Sequence, residues 1–311
     1  MYPMDLRLFL KDIFRVIQFT LYPMLQLYAY FVLIGLYCLE QKKFDGWSTL
    51  LIFFFYHLLA TTKVIFYMKL LINEGKSTIE IFPVITDTNQ KLDLKGVNIF
   101  CEEEIILKNV QKLKNCSICR TYKPPRTHHC SLCNRCYLKY DHHCAFLDTC
   151  IGFHNYKYFY QFLFLNVFTA LFFIIVISLQ LNKEIITSLK VNYIVSIALL
   201  GSFMLLISFY LVFHTIAISR NETTIEFKAL NAYILGDHRY INIFQEGPIA
   251  NYSNSKDRKI LNPYNLSLKE NWIQVFGVKS RDWFTPVMSS VGDGTSFPKN
   301  YTDLEMVYVN K

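Results

Sequence analysis

Seven of the nine cysteines and four of the eight histidines of this chain fall between residues 116 and 150. The segment opens with Cys116-Ser-Ile-Cys119. It passes through Lys123-Pro-Pro-Arg126 to His128-His129-Cys130-Ser-Leu-Cys133-Asn-Arg-Cys136. It closes with Asp141-His142-His143-Cys144 and then Cys150-Ile-Gly152. A Cys-x-x-Cys pair folds two thiolates across a tight turn, close enough to share one zinc ion. Three such spacings occur: Cys116/Cys119, Cys130/Cys133 and Cys133/Cys136. Two tetrahedral sites need about eight ligands, and seven Cys with four His are on offer, so at least one cysteine can be left over. Cys144 is the best candidate, because it has no short Cys-x-x-Cys partner and directly follows Asp141-His142-His143. A nucleophilic cysteine needs a base for its proton, and the base needs an orienting group. Asp, His and Cys in one short run can supply all three.

Disulfide frameworks belong mainly to small secreted domains, whereas the same pattern in a reducing compartment binds metal. Zinc is therefore the expected use of these thiols. The run Asp141-His142-His143-Cys144 inside a cysteine-rich segment resembles the DHHC family of protein S-acyltransferases (palmitoyltransferases). The resemblance implies that Cys144 carries the acyl chain, assisted by His142 and Asp141. It also implies two structural zinc ions. One would be held by Cys116, Cys119, His129 and Cys136, the other by Cys130, Cys133, His143 and Cys150. The chain departs from the family after the tetrad. Ala145-Phe146-Leu147-Asp148-Thr149 stands where Pro-Trp-Val-Asn-Asn is usual. Phe146 keeps an aromatic ring, and Asp148 adds a negative charge beside the site.

These residues have to be held at a membrane. The 311 residues are 52% hydrophobic and 16% aromatic but only 18% charged, and the apolar residues come in long runs. The expected fold is an all-α integral membrane protein. Four transmembrane helices would cover Val16 to Leu39, Leu50 to Ile72, Phe159 to Leu181 and Val191 to Ser219. Each is long enough for a hydrocarbon core of about 30 Å. The cysteine-rich two-zinc domain lies between helices 2 and 3. The chain thus divides into 1–72, the loop 73–158 with its zinc core at 114–158, the helical pair 159–219 and the tail 220–311. Ile79 to Phe100 is expected to form short strands. Arg7, Lys11 and Arg15 give the first fifteen residues a basic, amphipathic character. Within the second span, His57 is expected to bond another helix, and Lys63 and Lys69 to snorkel toward headgroups. The first apolar run lacks a cleavage-like end, so no signal peptide is expected.

Lysine and arginine collect in the N-terminus, the middle loop and the tail, which makes both termini and the zinc loop cytosolic. The sequons at Asn115, Asn221, Asn251, Asn265 and Asn300 would then carry no glycan. Thr223-Thr224-Ile225-Glu226 is similar to the family's Thr-Thr-x-Glu motif, whose side chains pack on the catalytic domain. Ser267 and Glu270 have capping-box spacing, and Gly277 can close that helix. There Asn271 and Trp272 resemble the family's pair that holds the tail on the membrane domain. Trp283, Phe284 and Pro286 are read as an interfacial patch. His128 and His154 are read as hydrogen-bonded loop histidines.

The expected activity is transfer of a long acyl group, such as palmitoyl, from acyl-CoA to cysteines of membrane-proximal proteins. It would run through a Cys144 acyl-enzyme in a ping-pong scheme. The net charge of +8 suits anionic headgroups or a coenzyme A thioester. Lys123 and Arg126 are the candidates for its phosphates, with Arg135 and Lys139 beside them. The partners are acyl-CoA, the protein substrate and the bilayer, with an accessory subunit left open. Nucleic acid is not expected, since the basic residues sit between spans. The alternative is a non-catalytic, membrane-anchored zinc adaptor, which would not need Asp141, His142 or Cys144.

Overall fold

The computed structural model describes residues 20–40, 46–73, 75–82, 114–181, 186–237, 239 and 258–300. The basic N-terminal stretch, Cys101, the sequon at Asn251 and most of the segment expected to form strands lie outside them. Four helices are long and apolar enough to cross a membrane: α1 (Thr20–Cys38), α2 (Gly46–Ile72), α4 (Tyr156–Ser178) and α5 (Thr187–Ser219). The chain is a multi-pass membrane protein on this ground. Large apolar side chains such as Leu51, Phe54, Leu205 and Phe209 point outward and stay exposed. A water-facing surface of that kind would promote association, whereas a hydrocarbon surround accepts it. The second half of α1 lies in a wider π-helical stretch, Phe31–Glu40.

Inside the bundle α4 packs against both α2 and α5. Two apolar clusters fill the interior. One lies far from the cysteine-rich segment and contains Val32, Leu33, Tyr56, Phe173 and Tyr193. The other lies at its head, where Tyr22, Phe66, Phe159, Phe162, Ile207 and Ile218 meet Leu147 and Ile151 of the loop. Polar groups in the spans pair between helices. His57 bonds the Tyr30 hydroxyl at 3.0 Å through Nε2 and the Phe53 carbonyl at 2.8 Å through Nδ1. Lys63 does not snorkel: it is buried and donates to Gln26 Oε1 of α1. An ammonium in hydrocarbon is costly, and a facing amide oxygen is the nearest relief.

Between α2 and α4 the loop carries a short helix α3 (Thr78–Ile81) and three two-stranded antiparallel ladders. These are β1–β2 (Asn115–Cys116, Thr121–Tyr122), β3–β4 (His128–Cys130, Arg135–Tyr137) and β5–β6 (His142–Cys144, Thr149–Ile151). The strand expectation fails at Ile79–Ile81, because the Ser77 side chain caps the Ile79 N–H and starts a helical turn. After α5 come α6 (Thr224–Ile234), α7 (Arg258–Leu261), α8 (Leu268–Phe276) and a 3₁₀ turn, Ser280–Phe284.

Helix α4 starts at Tyr156, earlier than the apolar run implied. Asn155 ties it to β6: its Oδ1 accepts from the Gly152 N–H and its Nδ2 donates to the Cys150 carbonyl, both at 2.9 Å. Lys157 hides this start in the sequence. It is buried, and its ammonium donates to the carbonyls of Asp282 and Val287 and to Ser289 Oγ. The C-terminal segment thus satisfies a charge at the head of a membrane helix. Helix α8 docks beside it, with Asn271 Nδ2 donating to the Ser219 carbonyl and Trp272 Nε1 to Ser219 Oγ. Its capping box is present as Ser267 and Glu270, and Gly277 ends it at φ 87°. Trp283 stacks on Trp272 instead of forming part of an exposed patch, while Phe284 is exposed.

Candidate functional site

Hairpin register assembles the two Cys/His groups. In β3–β4, His129 lies opposite Cys136; in β5–β6, His143 lies opposite Cys150. Each cross-strand pair faces the thiols of a Cys-x-x-Cys turn. Cys116, Cys119, His129 and Cys136 bring their ligand atoms within 4.8 Å of one another, as do Cys130, Cys133, His143 and Cys150. His129 Nδ1 is 3.7, 3.3 and 3.7 Å from the sulfurs of Cys116, Cys119 and Cys136. His143 Nδ1 is 3.4 and 3.6 Å from those of Cys133 and Cys150. A tetrahedral ion bound at about 2.3 Å to sulfur and about 2.0 Å to nitrogen sets these atoms about 3.5 Å apart. The donors therefore fit one such ion per group.

The two groups differ behind their histidines. His143 Nε2 faces Asp148 Oδ1 at 3.7 Å, whereas His129 Nε2 is buried with no hydrogen-bond partner among the described residues. Asp148 takes the left-handed turn of its hairpin, at φ 48°, and so swings its carboxylate onto the ring. Neither His128 nor His154 joins a group. His128 stands beside Tyr140 with its pKa lowered to about 4, chiefly by burial. His154 Nε2 is buried with no hydrogen-bond partner among the described residues.

Cys144 is outside both groups, half-buried, at the end of β5. It packs against the apolar cluster at the head of the four helices. On the same strand His142 Nδ1 donates to Asp141 Oδ2 at 2.7 Å. Asp141 is buried and fully engaged: Oδ1 accepts the Thr224 N–H at 2.8 Å, and Oδ2 accepts the Thr224 hydroxyl at 2.7 Å. Burial opposes the charged form of His142, yet its bonds to Asp141 and Cys144 outweigh this and raise its pKa to about 9. Burial would likewise raise Asp141, but His142, with help from Thr224, brings it down to about 2. The arrangement is a carboxylate that orients an imidazole, and an imidazole of raised basicity beside a thiol. His214 of α5 also reaches this pair and stacks on His142 at 5.8 Å between ring centres.

Arg126, a phosphate candidate in the sequence, does not present its guanidinium to solvent. It is buried against Glu226, donating at 2.8 and 2.7 Å, and it also donates to the Asn221 side chain and carbonyl. Its guanidinium lies over the Tyr264 ring at 4.4 Å. Glu226 is also half of the capping box that starts α6 behind Thr223. Arg126 thus clamps the loop to the helix that carries Thr224. Lys123 is half-buried. Arg135 pairs with Glu80 at the surface, at 3.5 Å. Burial, with the adjacent Arg126 charge, lowers Lys139 to about 7.

Directly beneath the hairpin the bundle is filled by rings. Tyr22 meets Phe146, Phe162 and Phe203 at 5.5 to 5.8 Å. A groove of about 360 Å³ lies between α1 and α2, lined by Tyr22, Tyr30, Tyr56, Ala60, Val64 and Tyr67 among others.

Residues 109–231 match the family model for the DHHC palmitoyltransferase. The palmitoyltransferase ZDHHC15A of Danio rerio is 34% identical over 191 residues, which cover 60% of this chain and 52% of that protein. The palmitoyltransferase ZDHHC20 of Bos taurus is 36% identical over 206 residues, covering 64% of this chain and 50% of its own. The human palmitoyltransferase ZDHHC15 is 34% identical over 188 residues, covering 59% and 49%. The chain spans about half the length of the curated relatives it matches.

Proposed function

We propose, from the match of residues 109–231 to the family model for the DHHC palmitoyltransferase, that the chain is a protein S-acyltransferase. It would move a long-chain acyl group from acyl-CoA to cysteine thiols of membrane-associated proteins. The observation that carries this reading is the Asp141–His142 bond of 2.7 Å on the strand that ends in Cys144, itself packed on the apolar head of the bundle.

Each residue then has a role. Cys144 is the nucleophile. His142 takes its proton, and Asp141 holds the imidazole in the required tautomer and balances its charge. The Cys144 sulfur attacks the thioester carbonyl, a new C–S bond forms, and the bond to coenzyme A breaks as His142 passes its proton to the departing thiolate. The acyl group remains on Cys144. A substrate thiol gives its proton to His142, attacks the same carbonyl, and releases Cys144. The chain of the acyl-enzyme lies among the apolar side chains that already surround Cys144. At about 0.8 kcal/mol per buried CH₂, a long chain supplies most of the donor affinity. The groove between α1 and α2, across Tyr22 from Phe146, supports such a site.

The two Cys/His groups would each hold a structural zinc ion: three thiolates and one imidazole match zinc's softness and geometry. Zinc there organises the hairpins, and the acyl transfer runs on Cys144, His142 and Asp141. Lys123 is the remaining candidate for coenzyme A phosphates. The basic N-terminus, loop and tail favour a cytosolic placement of both ends and of the active cysteine.

The test is self-acylation of the purified protein with labelled palmitoyl-CoA, comparing wild type with Cys144→Ser. Hydroxylamine-sensitive label that disappears in the variant, with two metal ions retained in both, is the expected result. Label that survives the substitution, or no label at all, would reject the assignment.

A further inference from the structure

His214 belongs to α5, a membrane helix, yet its ring takes part in the environment of the site. It is 2% exposed. One of its nitrogens lies within 4.8 Å of a nitrogen of His142 and of a carboxylate oxygen of Asp141. Its ring lies 29° from parallel to that of His142, with centres 5.8 Å apart. Phe159 stands edge-on to both, 5.4 Å from His142 and 5.0 Å from His214. The Tyr156 hydroxyl shares a hydrogen bond of 3.0 Å with His214 Nδ1. Phe213 meets the ring edge-on at 5.1 Å.

A leucine or phenylalanine would fill this space without bringing polar atoms into the bundle. A buried imidazole costs free energy unless it is bonded, and here one specific bond fixes how the ring is turned. Its orientation is therefore set by α4 and α5, and its face is presented to His142. The three residues Asp141, His142 and His214 are close enough to share a metal ion. However, both oxygens of Asp141 and the Nδ1 atoms of both histidines already have partners, which an ion would have to displace.

We propose that His214 is a positioning residue for the acyl transfer. Anchored by Tyr156, its ring holds the His142 imidazole in the orientation that gives one nitrogen to Asp141 and turns the other toward Cys144. This rests on the acyltransferase reading above. It makes the membrane helices part of the catalytic geometry: a rotation of α5 would be felt at the base.

The test uses the full-length, metal-loaded protein in detergent with His214→Leu, His214→Phe and Tyr156→Phe. The readouts are the rate of Cys144 alkylation by iodoacetamide, followed on the Cys144 peptide by mass spectrometry, and the self-acylation rate at saturating palmitoyl-CoA. The half-saturation concentration and metal content are measured alongside. His214→Leu is expected to slow both rates about tenfold, as a loosened base does, with half-saturation and metal content unchanged. His214→Phe keeps the ring but loses the bond to Tyr156, so it should recover part of the loss, and Tyr156→Phe should likewise fall between wild type and His214→Leu. Wild-type rates in His214→Leu would overturn the proposal. So would a His214→Phe variant as impaired as His214→Leu, or a loss that comes with metal release or with a matching rise in half-saturation. If wild type does not label at Cys144, the acyltransferase reading fails, and the alkylation ratio still decides the role of His214.

Discussion

Asp141 sits where three donors converge, and its chemistry follows from that count. The Thr224 N–H, the Thr224 hydroxyl and the His142 Nδ1–H all point at its two oxygens. A carboxylate held this way stays charged and fixes the imidazole tautomer. Asp141→Asn puts an NH₂ among donors and removes the charge, so self-acylation should fall about a thousandfold while the metal content is retained. Thr224→Val removes one bond and keeps the N–H. A loss of about tenfold in the same assay is expected, since misplacement rather than loss of charge is at issue. Asp148 makes a separate prediction. A carboxylate behind a ligating histidine tightens metal binding, and removing it costs about tenfold or more in affinity. Asp148→Asn should therefore make the centre with His143 release metal at lower chelator concentration, while the centre with His129 is unchanged. Residue types were readable here from the Asp-His-His-Cys run. The Asp148–His143 approach was not, because it depends on a left-handed turn at Asp148.

Elements meet at Arg126. One guanidinium joins the loop before β3 to the start of α6 and to the turn at Asn221. Both side chains of the Arg126–Glu226 pair are 1% exposed. Breaking a buried pair leaves an uncompensated charge, which costs about 3 kcal/mol or more. Arg126→Met should accordingly lower the unfolding temperature and weaken self-acylation through Thr224, and the double variant with Glu226→Gln should recover part of the stability. From the sequence, Arg126 read as a solvent-facing cation near a phosphate. Its partner stands a hundred residues on, and no local spacing announces a contact that distant. The capping boxes of α6 and α8, by contrast, are local; that of α8 formed where the Ser267/Glu270 spacing placed it, while that of α6 is made by Thr223 and Glu226 of the Thr-Thr-x-Glu motif. Gly277 closes α8 at φ 87°, and a Cβ there would come within 2.5 Å of the Ser289 carbonyl oxygen. Gly277→Ala is expected to loosen the C-terminal segment from Lys157, read as faster proteolysis after residue 277.

For the whole molecule, two different forces hold two different parts. The bundle is held by apolar packing in a hydrocarbon surround. The loop has few large apolar side chains between its cysteines, so the two zinc ions proposed for its Cys/His groups would hold it. Metal stripping by a chelator should abolish self-acylation and open residues 114–155 to protease, with most helical circular dichroism retained. Loss of the helical signal along with the loop would contradict this division.

The sequence determined what is local or periodic. Four apolar runs became four long helices, because burying or lipid-facing apolar surface depends on composition and length. The residue types for metal binding are local too, in the Cys-x-x-Cys spacings, but their division into two groups came from the family resemblance and is made by hairpin register, which splits the Cys133/Cys136 spacing. Tertiary structure alone decided which distant side chains meet. It took Arg126 from a presumed phosphate to Glu226, tied Lys63 to Gln26, placed Thr224 on Asp141 and laid His214 against His142. Each contact involves a buried polar group, and a buried polar group must find its partner wherever the packed elements bring one. That choice is made by how the helices and the loop dock, and no stretch of neighbouring residues encodes it.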